Sequence, residues 1–188
     1  CIRDSNCADS IIEHESVSRV LQEMSDFFLK DQVIVVTGAA GGIGRAICED
    51  LSEAGAKIVL AGRNADTLKE TADSLKIADS LIVSTDITKP ESVKSLLDAT
   101  LAKFPRIDGL VNNAGGGSSM KKPEETPHEE WVRMIDFNLT GTFNCCIEFG
   151  KHMISQKYGK IVNISSVAGT KGNPVSYTHL TLPTTLVV

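Results

Sequence analysis

The chain has 188 residues and a formal net charge of −5, and 41% of its residues are hydrophobic, which is enough for one domain with a substantial core. It has no basic run and few aromatic residues, so we expect no nucleic-acid partner. Its longest apolar runs have the length of a strand, so we expect no membrane span. Its five cysteines and four histidines lack metal-ligand spacing, so we expect a reduced, cytoplasmic protein without a metal.

The first predicted unit is a strand, a glycine-rich turn and a helix. Residues 33–36 are all apolar, which is typical of a buried parallel strand. The turn over residues 37–44 reads TGAAGGIG, and an amphipathic helix follows it. Glycines let the backbone approach a pyrophosphate closely, and the first N–H groups of a helix point at the anion. We therefore predict a dinucleotide site that includes Thr37, Gly38, Ala40, Gly42, Ile43 and Gly44.

Further strands and helices alternate along the rest of the chain. We predict strands at residues 57–61, 81–83, 107–111 and 161–164. We predict helices that start near Asn64, Pro90 and Thr126, the last of them long and kinked near Gly141. This alternation predicts an α/β fold, a doubly wound, Rossmann-like parallel sheet with helices on both faces. We expect the sheet to be incomplete at its C-terminal edge, with an open apolar strand there.

The second predicted strand ends in a pair of residues that bears on the choice of cofactor. Parallel strands end at one edge of the sheet, where such folds bind their ligands. A site for NAD typically has an acid at this point, but the chain has Gly62 and then Arg63. Because an arginine suits the 2′-phosphate of NADP, we expect NADP rather than NAD. The alternative is a solvated arginine beside the start of a helix.

The third and fourth predicted strands also end in residues that suit a cofactor. Asp86 can accept a hydrogen bond from an adenine amino group, or it can cap the next helix. The small residues at 112–115 let the backbone lie against a flat ligand, and their asparagines can brace neighbouring strands. An ordinary turn is the alternative for this segment. The predicted cofactor site thus also includes Asp86, Ile87, Asn113, Ala114 and Gly115.

The motifs described above, with Asn138 in the long helix and Ser166 after the fifth strand, resemble the short-chain dehydrogenase/reductase family in order and spacing. The resemblance covers about residues 29–173. It implies an NAD(P)-dependent oxidoreductase that transfers a hydride between nicotinamide and a secondary alcohol or ketone, and a homo-oligomer. It also implies that Asn138 positions a proton-relay water and that Ser166, rather than Ser165, holds the substrate oxygen. The alternatives are an asparagine bonded to helix backbone and a serine in a turn.

The family's proton chemistry requires a Tyr-x-x-x-Lys motif, in which the lysine lowers the pKa of the tyrosine. Tyr177 is followed four residues later by Thr181, and Pro183 interrupts any helix there. Residues 1–4 can be encoded by DNA whose reverse complement encodes residues 175–178. We therefore interpret residues 1–5 and about 175–185 as translated sequencing adapter, and Tyr177 as part of that adapter.

These observations divide the chain into three parts. We expect an N-terminal extension at residues 1–28 that is non-native at 1–5, a partial dinucleotide-binding domain at 29–174, and a non-native tail at 175–188. We expect the parent protein to be an oxidoreductase acting on a small carbonyl or alcohol compound, and the 188 residues themselves to be inactive. The alternative is a non-catalytic dinucleotide-binding or regulatory protein whose natural tail lacks the tyrosine.

Overall fold

A computed structural model describes residues 28–77, 79–117 and 123–166 of the chain. Within these ranges one sheet has five strands: β1 Val33–Thr37, β2 Lys57–Gly62, β3 Ser80–Ser84, β4 Gly109–Asn112 and β5 Lys160–Asn163. All of its strand pairs are parallel, and the strand order is β3-β2-β1-β4-β5. The order reverses between β1 and β4, which is where such sheets bind ligands. The predicted adapter residues, including Tyr177, lie outside the described residues.

The helices alternate with the strands, as the sequence predicts. They are α1 Gly42–Glu53, α2 Ala65–Ser74, α3 Pro90–Lys103, α4 His128–Ile135 and α5 Gly141–Ser155, with a short 3-10 turn at Pro123–Glu125. A π-helical segment, Asp136–Thr140, joins α4 to α5, and it accounts for the irregularity predicted near Gly141. No helix in the described part of the chain is long and apolar enough to cross a membrane.

The core lies on both faces of the sheet because β1 is apolar at every position but the last. Val33 and Val35 pack in one buried cluster with residues of α3 and α5. Ile34 and Val36 point to the other face and pack with residues of α1 and α2. This two-sided burial is the reason that the strand reads as a continuous apolar run, and it confirms the predicted doubly wound fold.

The edge at β5 exposes apolar side chains. Within the described residues β5 pairs with β4 alone, and all four of its residues are exposed. Ile161 and Val162 are among them, and α5 exposes Phe143 and Ile154. The described part of the sheet therefore has the open apolar edge that the sequence predicts for its fifth strand.

Phe149 of α5 is completely buried, whereas Phe143 of the same helix is 61% exposed. We expect Phe149→Ala to lower the free energy of unfolding by about 3–5 kcal/mol, because it removes buried apolar area and leaves a cavity. Phe143→Ala serves as the matched control and changes it by about 0.5 kcal/mol or less. Urea unfolding followed by circular dichroism measures both, and equal losses would contradict the assigned core.

Candidate functional site

A cleft of about 590 Å³ lies at the carboxyl ends of the central strands. Its volume is in the range of pockets that bind small molecules and cofactors. The turn after β1, the end of β2, the segment after β3, the loop after β4 and the π-helical segment all contribute to its lining. The predicted cofactor residues that line it are Gly38, Ala40, Gly42, Ile43, Gly44, Arg63, Ile87, Asn113, Ala114 and Gly115.

The start of α1 is the part of the cleft that suits an anion. Gly41 is the N-cap of this helix, and no side-chain oxygen caps it in the described structure. The first N–H groups of a helix have no acceptor within the helix, so here they are left for a ligand. A Cβ atom added to Gly42 would meet no heavy atom within 4 Å, so the helix starts against open space. These features fit a bound pyrophosphate.

Two other glycines allow the turn to pack tightly against the loop after β4. Gly38 has φ of 66°, and a Cβ atom there would lie 2.9 Å from the Cα atom of Ala114. A Cβ atom on Gly44 would overlap the carbonyl oxygen of Gly38 and lie 2.6 Å from Nδ2 of Asn113. Gly38 and Gly44 are therefore required by close packing, whereas Gly42 faces the space that a ligand would fill.

Thr37 lies behind the cleft and joins its two loops. Its side chain is buried, and its Oγ1 atom accepts hydrogen bonds from the N–H groups of Asn113 at 3.1 Å and Ala114 at 3.0 Å. In return, Nδ2 of Asn113 donates to the carbonyl oxygens of Thr37 and Gly38, both at 3.1 Å. Thr37 is thus placed to hold the cleft walls together rather than to line the cleft.

Asn112 braces the sheet in a similar way. Its Nδ2 atom donates to Oδ1 of Asn163 on β5 at 2.8 Å and contacts Sγ of Cys146 at 3.4 Å. The bracing that the sequence predicts for the two asparagines of this loop is therefore confirmed, since Asn113 ties β4 to β1 and Asn112 ties β4 to β5.

Arg63 follows β2 and has an aromatic neighbour that sequence reasoning missed. Its guanidinium carbon lies 5.2 Å from the ring centroid of Phe137, which belongs to the π-helical segment. Arg63 is exposed and Phe137 is half-buried, and both line the cleft. The only local signal for Phe137 is its position next to Asn138, because the contact joins residues that are distant in sequence.

Asp86 is engaged in the turn before α3 and does not line the cleft. Its Oδ1 atom accepts hydrogen bonds from the Thr88 hydroxyl at 2.8 Å and the Thr88 N–H at 3.1 Å. The hydroxyl bond is the main cause that lowers the pKa of Asp86 below its ordinary value, and Lys89 and Arg63 act in the same direction. Asp86 lines a neighbouring cavity of about 460 Å³ instead. The predicted role of Asp86 as the cap of the next helix is wrong, because Lys89 is the N-cap of α3 and no side chain caps it. The contact with an adenine amino group stays a prediction.

The two predicted catalytic residues lie apart from the cleft lining. Asn138 is in the π-helical segment, where its Oδ1 atom accepts from the Gly116 N–H at 3.0 Å. Its Nδ2 atom donates to the carbonyl oxygens of Gly116 and Met134, both at 3.0 Å. Both amide hydrogens are used, and Oδ1 has one further lone pair. Ser166 is exposed, three residues beyond β5.

The cysteines and acidic groups of the described residues form no metal site. No three side chains of His, Cys, Asp or Glu lie together there in a way that would hold a metal ion. Burial raises the pKa of the Cys48 and Cys145 thiols to about 12. Both thiols therefore stay protonated, and both pack as small apolar groups in the two buried clusters.

The parallel sheet, the glycine turn at the switch point and the uncapped helix start define a dinucleotide-binding α/β domain. The family model described as short chain dehydrogenase matches residues 32–178, and the chain belongs to this family. Membership implies a nicotinamide dinucleotide, NAD or NADP, as the cofactor. The residues around Gly42 and the start of α1 fit such a group for two reasons. The first N–H groups of α1 have no side-chain cap, and there is open space beside Gly42 for the phosphates.

Similar proteins include two curated relatives and one solved structure. The chain is 40% identical over 150 residues to an uncharacterized oxidoreductase of Staphylococcus epidermidis, covering 78% of this chain and 64% of that protein. It is 39% identical over 143 residues to an NAD-dependent glycerol dehydrogenase of Listeria innocua, with coverage of 76% and 56%. The crystal structure of NAD⁺-bound xylitol dehydrogenase matches with 33% identity and a TM-score of 0.76, covering 81% of this chain and 59% of that one. The chain spans less than two thirds of each of these proteins.

The glycine turn provides a test in which two neighbouring glycines respond oppositely. We expect Gly44→Ala to lower the free energy of unfolding by about 1–3 kcal/mol, because the added methyl group overlaps the Gly38 carbonyl. Gly42→Ala leaves it unchanged or raises it by up to about 1 kcal/mol, since alanine is the better helix residue and has room. Chemical denaturation measures both variants. Equal stability of the two would show that the turn does not pack as described.

Proposed function

We propose that this chain binds a nicotinamide dinucleotide in the cleft and that the whole protein is an oxidoreductase that interconverts secondary alcohols and ketones. The observation that carries the proposal is the uncapped start of α1, which faces the cleft at the switch point of the sheet. In this assignment the first N–H groups of α1 bind the pyrophosphate. The loop Asn113-Ala114-Gly115, which also lines the cleft, provides backbone against which the rest of the cofactor lies.

The nicotinamide ring, when bound, supplies or accepts the hydride. We assign the substrate end of the site to Asn138 and Ser166. Asn138 positions the loop at Gly116 through its two hydrogen bonds to that residue, and the second lone pair of its Oδ1 atom is the place for a relay water. Ser166 holds the substrate oxygen by donating its hydroxyl proton. The family resemblance supports both roles.

We propose NADP as the preferred cofactor. Among the described residues that line the cleft, Arg63 is the one charged side chain, and no Asp or Glu lines it. A guanidinium forms strong, paired hydrogen bonds with a phosphate, whereas a ribose 2′-hydroxyl is typically held by an acid. Two of the similar proteins have NAD in their names, which supports NAD as the alternative.

The substrate of the whole protein is proposed to be a small polyol or the matching ketone. The names glycerol dehydrogenase and xylitol dehydrogenase support this class, and nothing among the similar proteins favours a non-catalytic role. We also propose that the whole protein is a homo-oligomer without a nucleic-acid partner. The apolar side chains exposed on α5, Phe143 and Ile154, support a self-association surface.

Cofactor preference provides the test of the proposed function. We expect the 188-residue chain to bind NADPH more tightly than NADH in fluorescence titrations. Arg63→Asp weakens NADPH binding by about 10- to 100-fold, because it replaces a phosphate partner by a repelling carboxylate. Lys69→Asp makes the same charge change on an exposed position of α2 that does not line the cleft, and serves as the control. An unchanged preference in Arg63→Asp would contradict the NADP assignment.

We expect the chain to bind the cofactor without turning over a substrate. Tyr158 and Tyr177 are its two tyrosines, and the residues four positions later are Val162 and Thr181, so neither has the lysine partner. Incubation with NADP or NAD and a panel of polyols should produce no reduced cofactor above a control without protein. A polyol dehydrogenase of known activity is the positive control for the assay, and turnover by the 188 residues would refute the expectation.

A further inference from the structure

Arg63 and Phe137 stand at the boundary between two cavities. Both residues line the cleft, and both also line the neighbouring cavity of about 460 Å³ that contains Asp86. The guanidinium lies over the ring face, with its carbon 5.2 Å from the centroid. Because Arg63 borders both cavities, the position of the ring beside it determines which cavity its guanidinium faces.

The two cavities differ in charge. Apart from Arg63, the lining of the cleft is uncharged. The second cavity has three carboxylates, from Asp86, Glu129 and Asp136, against the cations Arg63 and Arg133 and the imidazole of His128. An exposed arginine side chain that no neighbour holds in place would be attracted toward these carboxylates and away from the cleft. Attraction between the cation and the ring face opposes that displacement.

The ring itself is held in place. Phe137 packs against the buried cluster formed by α3, α5 and the sheet. Its Cε1 atom lies 3.4 Å from the position that a Cβ atom of Gly116 would take, so the ring lies beside the loop after β4. The next residue, Asn138, is bonded twice to Gly116. The π-helical segment therefore holds the ring in a defined position beside Arg63.

We infer that Phe137 is a positioning residue for cofactor choice: its ring holds the Arg63 guanidinium at the rim of the cleft, where it meets the 2′-phosphate of NADP. This inference rests on the proposed function. A guanidinium that is already positioned loses less side-chain freedom when the phosphate binds. NADH has no 2′-phosphate, so its binding does not use the positioned guanidinium.

Substitution of Phe137 tests the inference. Phe137→Leu keeps the apolar side chain and removes the ring face, and Phe137→Tyr keeps the ring. We expect Phe137→Leu to weaken NADPH binding about two- to fivefold more than it weakens NADH binding. Phe137→Tyr should retain the wild-type preference. Titrations with the 188-residue chain measure both dissociation constants, and thermal unfolding confirms that each variant is folded.

A double-mutant cycle separates this role from a structural one. In an Arg63→Gln background, Phe137→Leu should weaken NADPH binding no more than NADH binding, because the cation that the ring positions is gone. An equal loss for NADPH and NADH in the single variant, or a greater loss for NADPH that persists without Arg63, would overturn the inference and leave the proposed function intact. Failure of the wild-type chain to bind either nucleotide would overturn both.

Discussion

The close packing of the turn after β1 against the loop after β4 is the constraint on which the cleft depends. Reciprocal hydrogen bonds between Thr37 and Asn113 join the two segments, and Gly38 allows backbone contact with Ala114. Any side chain at Gly44 would push the segments apart. These part-buried bonds hold the glycine turn against the loop after β4. This packing holds the start of α1 in place, with its first residues facing the cleft.

The charges around the site fit a phosphorylated ligand in one cavity and not in the other. The uncapped start of α1 and Arg63 both attract an anion to the cleft, where no acid opposes them. The neighbouring cavity is lined by three carboxylates, and the hydrogen bond from Thr88 keeps Asp86 ionised. The local charge therefore favours an anion in the cleft over the neighbouring cavity, which is the basis of the proposed cofactor site.

The π-helical segment changes which residues of the long helix reach the site. One wider turn interrupts the regular spacing between α4 and α5 and turns Phe137 and Asn138 toward the loop after β4. The asparagine is bonded to backbone there, which is one of the two readings that its sequence position leaves open. Helical periodicity indicates an irregularity here but does not identify its type, because one widened turn of five residues shifts the apolar spacing too little to tell it from a kink.

Features that depend on neighbouring residues could be predicted from the amino-acid sequence. The apolar run of β1, the glycine turn after it and the cap at Asn64 are local, and so the alternating fold and the dinucleotide class were predictable. The folded chain was needed to show that Thr37 supports the cleft from behind, that Asp86 faces another cavity and that Phe137 lies under Arg63. These contacts join residues from separate strands and helices, and the packing of the helices on the sheet, which no local pattern encodes, sets their distances.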